Sequence, residues 1–218
     1  MMDKGKMVFI NKWGYWHFIY AYMMLKIKQL LGLRFSIVYS KELDHSNVKS
    51  FYDNGYTFRP VKEEDFEKIP DLLALDLTQA FLDKVKLRKD KCAGAFFQEK
   101  LIGYTWSTTE AVEINNGVYL SFNDNCYYGY KNFVLPEHRG KGIIQKIKKI
   151  SINSKEGDNR TKTFSCIESH NYPSLNASKK EGNKKQGFSL FIDNKIGFYS
   201  WSSPRAKQIG VKVYKNYN

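Results

Sequence analysis

The chain has 218 residues, 42% of them hydrophobic and 26% charged, which fits one globular domain, or one domain with an extension, and argues against a disordered tract. Its formal net charge of +13 favours anionic partners: nucleotides, nucleic acid or an anionic membrane face. The three cysteines, Cys92, Cys126 and Cys166, form no CxxC pair, which argues against a structural zinc site and suits buried thiols in a reducing cytoplasm.

Residues 13–25 carry no formal charge. The run is shorter than the ~20 apolar residues a spanning helix needs, and it lacks the small-residue cleavage site of a signal peptide. Trp13, Trp16, Tyr20, Met23, Ile27 and Leu30 recur at spacings of three and four, which predicts an amphipathic helix stopping near Gly32. Phe35 to Tyr39 alternates like a short strand. Residues 1–50 thus form a helix–strand extension that packs on the main domain or on a second subunit, making a homodimer. The sharper alternative is a helix lying on a membrane surface, with aromatic anchors and basic flanks.

Asn47 to Gly55 reads as a polar linker, and residues 51–218 as the main domain. Tyr56 to Val61 is a predicted strand, and Lys62 to Phe66 opens a helix with acidic residues in its first turn. A second helical pattern covers Leu72 to Arg88. Cys92 to Phe97 and Leu101 to Thr108 read as a hairpin around Gln98-Glu99-Lys100. Strands are expected over Val118 to Phe122 and Cys126 to Leu135, with Tyr127, Tyr128 and Tyr130 divided between core and groove. A helix runs from Ile143 to about Ser154, followed by a strand over Thr163 to Glu168 and a helix from Leu175 to about Lys185. Phe188 to Ile192 and Ile196 to Trp201 close the chain as a hairpin. This order is an α+β layout with a mixed sheet. Residues 141–195 hold 12 Lys/Arg against 5 Asp/Glu, but no RNP, helix-turn-helix or zinc-finger pattern points to specific nucleic-acid binding.

The chemistry concentrates between Asn132 and Ile144. A strand ends at Pro136, a helix starts near Ile143, and the turn between them is basic and carries Gly140 and Gly142. Glycines let the backbone approach a ligand closely. The first amides of a helix lack intrahelical partners, and its dipole favours an anion there. Arg139 and Lys141 add charge suited to a pyrophosphate. The turn is neither GxxxxGK[ST] nor GxGxxG.

Val134-x-Pro136-x-x-Arg139-Gly140-x-Gly142 resembles the acyl-CoA-binding signature of the GNAT superfamily of N-acetyltransferases. The resemblance extends over residues 56–200. It takes in Tyr56 to Phe66, Leu101-Ile102-Gly103-Tyr104 and Asn171-Tyr172-Pro173-Ser174-Leu175. Phe81 with Gly103-Tyr104-Thr105-Trp106 most resembles members found with bacterial surface-polysaccharide genes. The signature departs from the family where Ile144 replaces a second small residue, and where Ser178 and Gly182-Asn183 stand in place of a Tyr and a Gly-Phe pair.

The resemblance implies a GNAT-like mixed central sheet flanked by helices, and a cytoplasmic acetyltransferase. Its co-substrate would be acetyl-CoA, with no metal, and its acceptor a small-molecule amine, such as an amino sugar of a surface polysaccharide. Transfer would go by direct attack in a ternary complex. By resemblance, Phe133, Val134 and Leu135 hold the pantetheine arm and polarise the thioester. Arg139, Gly140, Lys141, Gly142 and Ile143 hold the pyrophosphate, and Asn171 contacts the pantetheine or orders the next helix. Glu168, His170 and Asp124 are the candidate acid and base, although Asn123-Asp124-Asn125 reads equally well as a turn. His138 is expected to be a solvent-facing spacer. The alternative function is a non-catalytic module of the same fold that binds nucleic acid or an anionic membrane surface. A third reading puts a cytoplasmic enzyme on the membrane through the Trp13–Leu30 helix, near a lipid-linked sugar.

Overall fold

The structure is a computed structural model that describes residues 4–43, 50–151 and 160–217. In chain order the elements begin with helices α1 (Lys4–Trp13) and α2 (Tyr15–Leu31), strands β1 (Leu33–Glu42), β2 (Phe51–Asp53) and β3 (Tyr56–Pro60), and helix α3 (Glu63–Glu67). A 3-10 turn (Leu73–Leu75) precedes α4 (Gln79–Leu87), then β4 (Lys91–Phe97), β5 (Lys100–Thr108), β6 (Val112–Asn115), β7 (Val118–Ser121) and β8 (Cys126–Val134). A second 3-10 turn (Pro136–His138) leads to α5 (Ile143–Ser151), β9 (Lys162–Glu168) and α6 (Tyr172–Lys180). The chain closes with β10 (Lys184–Asn194), β11 (Gly197–Ser202), α7 (Pro204–Gln208) and β12 (Lys212–Lys215). The α+β class with a mixed sheet flanked by helices is thus observed. The expected linker and the expected end of the helix at Ser154 fall in part on residues 47–49 and 152–154, outside the described residues.

The chain forms two compact units, one of residues 1–41, 112–123 and 166–218, the other of 42–111 and 124–165. In the second, the strands run in the order β9-β8-β5-β4-β3-β2. The β8–β9 pair is parallel and the others are antiparallel. Gln98 and Glu99, at φ +48° and +60°, make the tight β4–β5 turn the sequence predicts; two positive-φ residues match the right-handed twist of paired strands. Ile143, Ile147 and Ile150 line one stripe of α5 and are buried against Tyr56, Phe58, Ala93, Ala95, Ile102 and Val134. Leu75, Leu77 and Val85 pack with Cys92, Leu101, Tyr104 and Trp106 in a second cluster.

The helix predicted over Leu72 to Arg88 is split. Asp76 adopts a left-handed conformation at φ +56° and ends the 3-10 turn, and Thr78 then caps α4 by accepting the Phe81 N–H at 3.2 Å. The apolar spacing continues across the break, so periodicity alone could not show it.

In the first unit, β11, β10 and β1 form an antiparallel sheet, and β12, β7 and β6 a second one. The single helix expected from Trp13 is two helices meeting at Gly14 (φ +91°). Phe9, Trp13, His17 and Tyr20 gather around the ring of Tyr172, with centroids 4.7–6.5 Å away. On α2 the buried residues are Ala21 and Met24. The six-residue stripe read from the sequence is therefore divided: Trp13, Tyr20 and Ile27 are half-buried, whereas Trp16, Met23 and Leu30 are exposed.

Candidate functional site

Strand β8 carries one extra residue against β5. Tyr104 pairs with Phe133 and Trp106 with Tyr130, so two steps on β5 face three on β8. Lys131 takes up the difference at φ +43°, and its ammonium is held by Asp76 at 2.8 Å. Such a bulge twists the strand and re-aims the residues beyond it. Pairing between β8 and β9 covers Cys126–Tyr128 with Lys162–Phe164.

Beyond the bulge the Leu135 N–H donates to the Ile102 carbonyl at 2.9 Å. Because backbone groups alternate sides along a strand, Phe133 also turns toward β5 and Val134 toward the opposite edge. The Val134 carbonyl accepts Arg139 Nε at 2.8 Å, which ties the loop back onto its own strand. Of the three residues expected along the pantetheine arm, Leu135 thus spends its amide on the sheet, and Val134 presents its N–H at the far edge.

The turn itself is held from below. The Tyr56 hydroxyl lies 3.0 Å from His138 Nδ1 and accepts from Lys141 Nζ at 3.1 Å. His138, expected to face solvent, is half-buried with its ring edge-on to Tyr56. The reason is the 3-10 turn: His138 N–H bonds to Leu135 O and Arg139 N–H to Pro136 O, which rolls the imidazole under the loop. Tyr56 therefore belongs to the candidate site, and only its place at the start of a predicted strand marks it in the sequence.

Gly140 and Gly142 sit at φ +82° and +69°. No heavy atom lies within 4 Å of where a Cβ on Gly140 would stand, and a Cβ on Gly142 would meet only Gln145 Oε1 at 3.8 Å. The backbone conformation, rather than crowding, calls for glycine here, and the space above it is open. The first helical bond of α5 runs from Lys146 N–H to Gly142 O at 3.3 Å. The amides of Ile143, Ile144 and Gln145 consequently have no partner one turn back in the helix. The helix has no acidic residue in its first turn, and Gly142 has no side chain to cap it. An anion finds there a dipole, spare N–H donors and room. The Ile144 side chain packs against the α5 core cluster, so it points away from this opening.

The other candidates divide between the two units. Asp124 is exposed in the turn before β8, in the same unit as the loop. Glu168, His170 and Asn171 belong to the first unit. There Glu168 contacts Lys28 at 2.7 Å, His170 Nε2 at 3.2 Å and Arg34 at 3.5 Å. Burial lowers the His170 pKa below its ordinary 6.5, and the Lys28 charge adds to this, while Glu168 opposes it. Burial thus favours the neutral imidazole, and its buried Nδ1 has no partner among the described residues. Asn171 caps α6 by accepting the Ser174 N–H at 3.2 Å. Ser178 is buried and accepts from Asn183 at 2.9 Å, so it clasps the end of α6. Burial raises the thiol pKa values of Cys92, Cys126 and Cys166, the last to about 12, which makes all three poor nucleophiles at neutral pH.

A cavity of about 320 Å³ in the second unit is not legible in the sequence. Its walls include Glu63, Glu67, Asp83 and Asp90 against the single ammonium of Lys86, with Phe66 and Trp106 as apolar surface. The Asp90 side chain is fully buried, bridged by Arg88 at 2.6 Å and receiving the Tyr130 hydroxyl. Burial and that carboxylate raise the Tyr130 pKa. The acidic run at residues 63–65 reads as a helix start; that Glu63 of this run also lines a cavity depends on β4 and β5, far along the chain. Among the described residues no three His, Cys, Asp or Glu side chains group as metal ligands.

No protein-family model matches the chain, and no curated protein matches it. Among solved structures, a chain named as an acetyltransferase of the GNAT family from Novosphingobium aromaticivorans is similar at 13% identity and a TM-score of 0.49, over 73% of this chain and 64% of that one. A conserved protein of unknown function from Staphylococcus epidermidis is similar at 15% identity and a TM-score of 0.46, over 78% and 66%. A GCN5-related N-acetyltransferase from Kribbella flavida is similar at 9% identity and a TM-score of 0.45, over 88% and 66%. The chain spans less than two thirds of the length of the first two.

Proposed function

We propose that the chain is a GNAT-like N-acetyltransferase that takes acetyl-CoA at the Arg139–Ile143 loop and passes the acetyl group to a small amine. The observation that carries this reading is the uncapped N-terminus of α5, reached through two positive-φ glycines with open space above them. A pyrophosphate matches it: backbone donors and the helix dipole bind the anion, and Lys141, steadied by Tyr56, adds charge. Arg139 closes the loop through Val134.

Acetyl-CoA would supply the thioester; as the neutral acceptor amine forms its C–N bond, the C–S bond would break, and the proton lost by the nitrogen would pass to the leaving thiolate. Direct attack is supported by the three thiols, which burial keeps protonated. Of the candidate bases, His170 is the one whose neutral form is favoured by burial. The Glu168 oxygens already serve Lys28, Arg34 and His170. The acidic cavity supports an acceptor that arrives as a cation, such as an amino sugar. The sequence resemblance to polysaccharide-associated members supports the same class.

Acetyl-CoA at about 100 times its Kd should stabilise the protein by about 2.7 kcal/mol, read as a rise in Tm. No rise at saturating acetyl-CoA, together with salt-sensitive binding to RNA, would replace this reading with the non-catalytic one.

A further inference from the structure

Helix α2 has two apolar faces. One is used: Ala21 and Met24 are buried, and Tyr20 with Trp13 and His17 surrounds Tyr172. The other is exposed. Trp16, Met23 and Leu30 stand seven residues apart, two helical turns, and form one ridge with exposures of 79%, 48% and 78%. Tyr15 and Tyr22 flank the ridge, and Met7 and Val8 of α1 are exposed as well. The apolar surface continues past the helix end. Asn194 Nδ2 donates to Leu31 O at 3.1 Å, which sets the β10–β11 turn beside exposed Leu30 and Leu31. Ile196, at the tip of that turn, is 88% exposed.

The charges on these helices have one sign. Residues 4–31 contain five lysines and no Asp or Glu. Lys26 lies over the ring of exposed Tyr22 at 5.7 Å from its centroid, so an ammonium group sits beside the aromatic side chains that flank the ridge, and Lys6 and Lys12 of α1 are exposed as well. We infer that this face docks onto an anionic lipid surface, with α2 in the plane of the interface. Aromatic and aliphatic side chains would enter the headgroup boundary while the lysines meet lipid phosphates. A second copy of the chain fits less well, because two such faces would bring lysines together with no carboxylate in either helix pair. Nucleic acid would match the lysines but leave the exposed Met, Val and Leu side chains without a use. The face does not span: among the described residues no helix is long and apolar enough to cross a membrane.

The test is co-sedimentation of the full chain with phosphatidylcholine vesicles, with or without 30% phosphatidylglycerol. Binding is expected to the anionic vesicles and to weaken with salt. Trp16→Ser/Leu30→Ser should lower the partition coefficient at least tenfold. Lys6→Gln/Lys12→Gln/Lys26→Gln should lower it on the order of a hundredfold, at about 1 kcal/mol per lysine. All the altered side chains are exposed, so Tm should not change. Three results would overturn the inference: no binding to anionic vesicles; binding that survives Trp16→Ser/Leu30→Ser; or a concentration-dependent dimer that Leu30→Ser dissociates. None of them bears on acetyl-CoA binding, whose thermal shift is read separately.

Discussion

The loop at the start of α5 and the charged corner around Glu168 both look like functional sites in the sequence, and they are built in opposite ways. In the loop the backbone is left with donors to spare. Gly142 cannot cap the helix, no carboxylate enters its first turn, and Arg139, His138 and Lys141 are tied down by Val134 and Tyr56 rather than by acids. At the corner the charges meet one another: Glu168 is shared by Lys28, Arg34 and His170. A place that keeps its capacity open suits a ligand, whereas a place whose charges are matched suits the fold, unless a proton has to move there.

The largest effect expected from that contrast is at the loop. Gly142→Asp or Gly140→Asp adds a side chain at positive φ and a carboxylate where an anion should sit. The acetyl-CoA thermal shift should vanish, a loss on the order of a hundredfold or more in affinity, with the fold retained by circular dichroism. A shift that persists would show that the α5 N-terminus does not hold the anion.

Glu168→Gln tests the other side. It leaves Lys28 and Arg34 without their carboxylate in a half-buried setting, and should cost on the order of 1 kcal/mol in denaturant unfolding. If the corner is only structural, kcat should change little. A large fall in kcat with unchanged stability would move Glu168 into the chemistry.

Tyr56→Phe keeps the packing but removes the hydroxyl that steadies His138 and Lys141. The acetyl-CoA Kd should rise roughly three- to tenfold, about 1 kcal/mol, without loss of Tm.

The smallest effect expected is the pH response of His170. Its folded pKa is lowered, so the unfolded chain takes up the proton first as the pH drops. The stability it supports is complete above about 6.5, the ordinary imidazole value, and is lost as the pH falls toward the lowered folded value. Between pH 7.5 and 5.5 the Tm should drop less in His170→Asn than in the parent chain. An identical pH profile for the two would show that burial does not hold the imidazole neutral.

Much of the fold is readable from residue order. The short apolar runs Cys92–Phe97 and Leu101–Thr108, parted by Gln98-Glu99-Lys100, mark the β4–β5 hairpin, because run length and turn chemistry are local. Pro136 and the two glycines mark the end of β8 and the start of α5 for the same reason. The six-residue stripe from Trp13 to Leu30 is helical, broken only at Gly14, yet half of its members turn outward. A helix apolar on two faces does not record which face its neighbours will cover. The break at Asp76, the clasp from Tyr56 and the acidic cavity are hidden in the same way.

Local patterning carries the α+β class, the places of most strands, and the resemblance of the Val134–Ile143 loop to an acyl-CoA signature. Which donors in that loop stay open, the inward turn of His138 beneath it, and the outward face of Trp16, Met23 and Leu30 come from the folded packing. The reason is one of range. Spacing, φ preference and helix-end polarity act within a few residues, whereas an open amide, a clasped lysine or an exposed ridge depends on what strands brought from about 80 residues away leave uncovered, as Tyr56 does beneath Lys141.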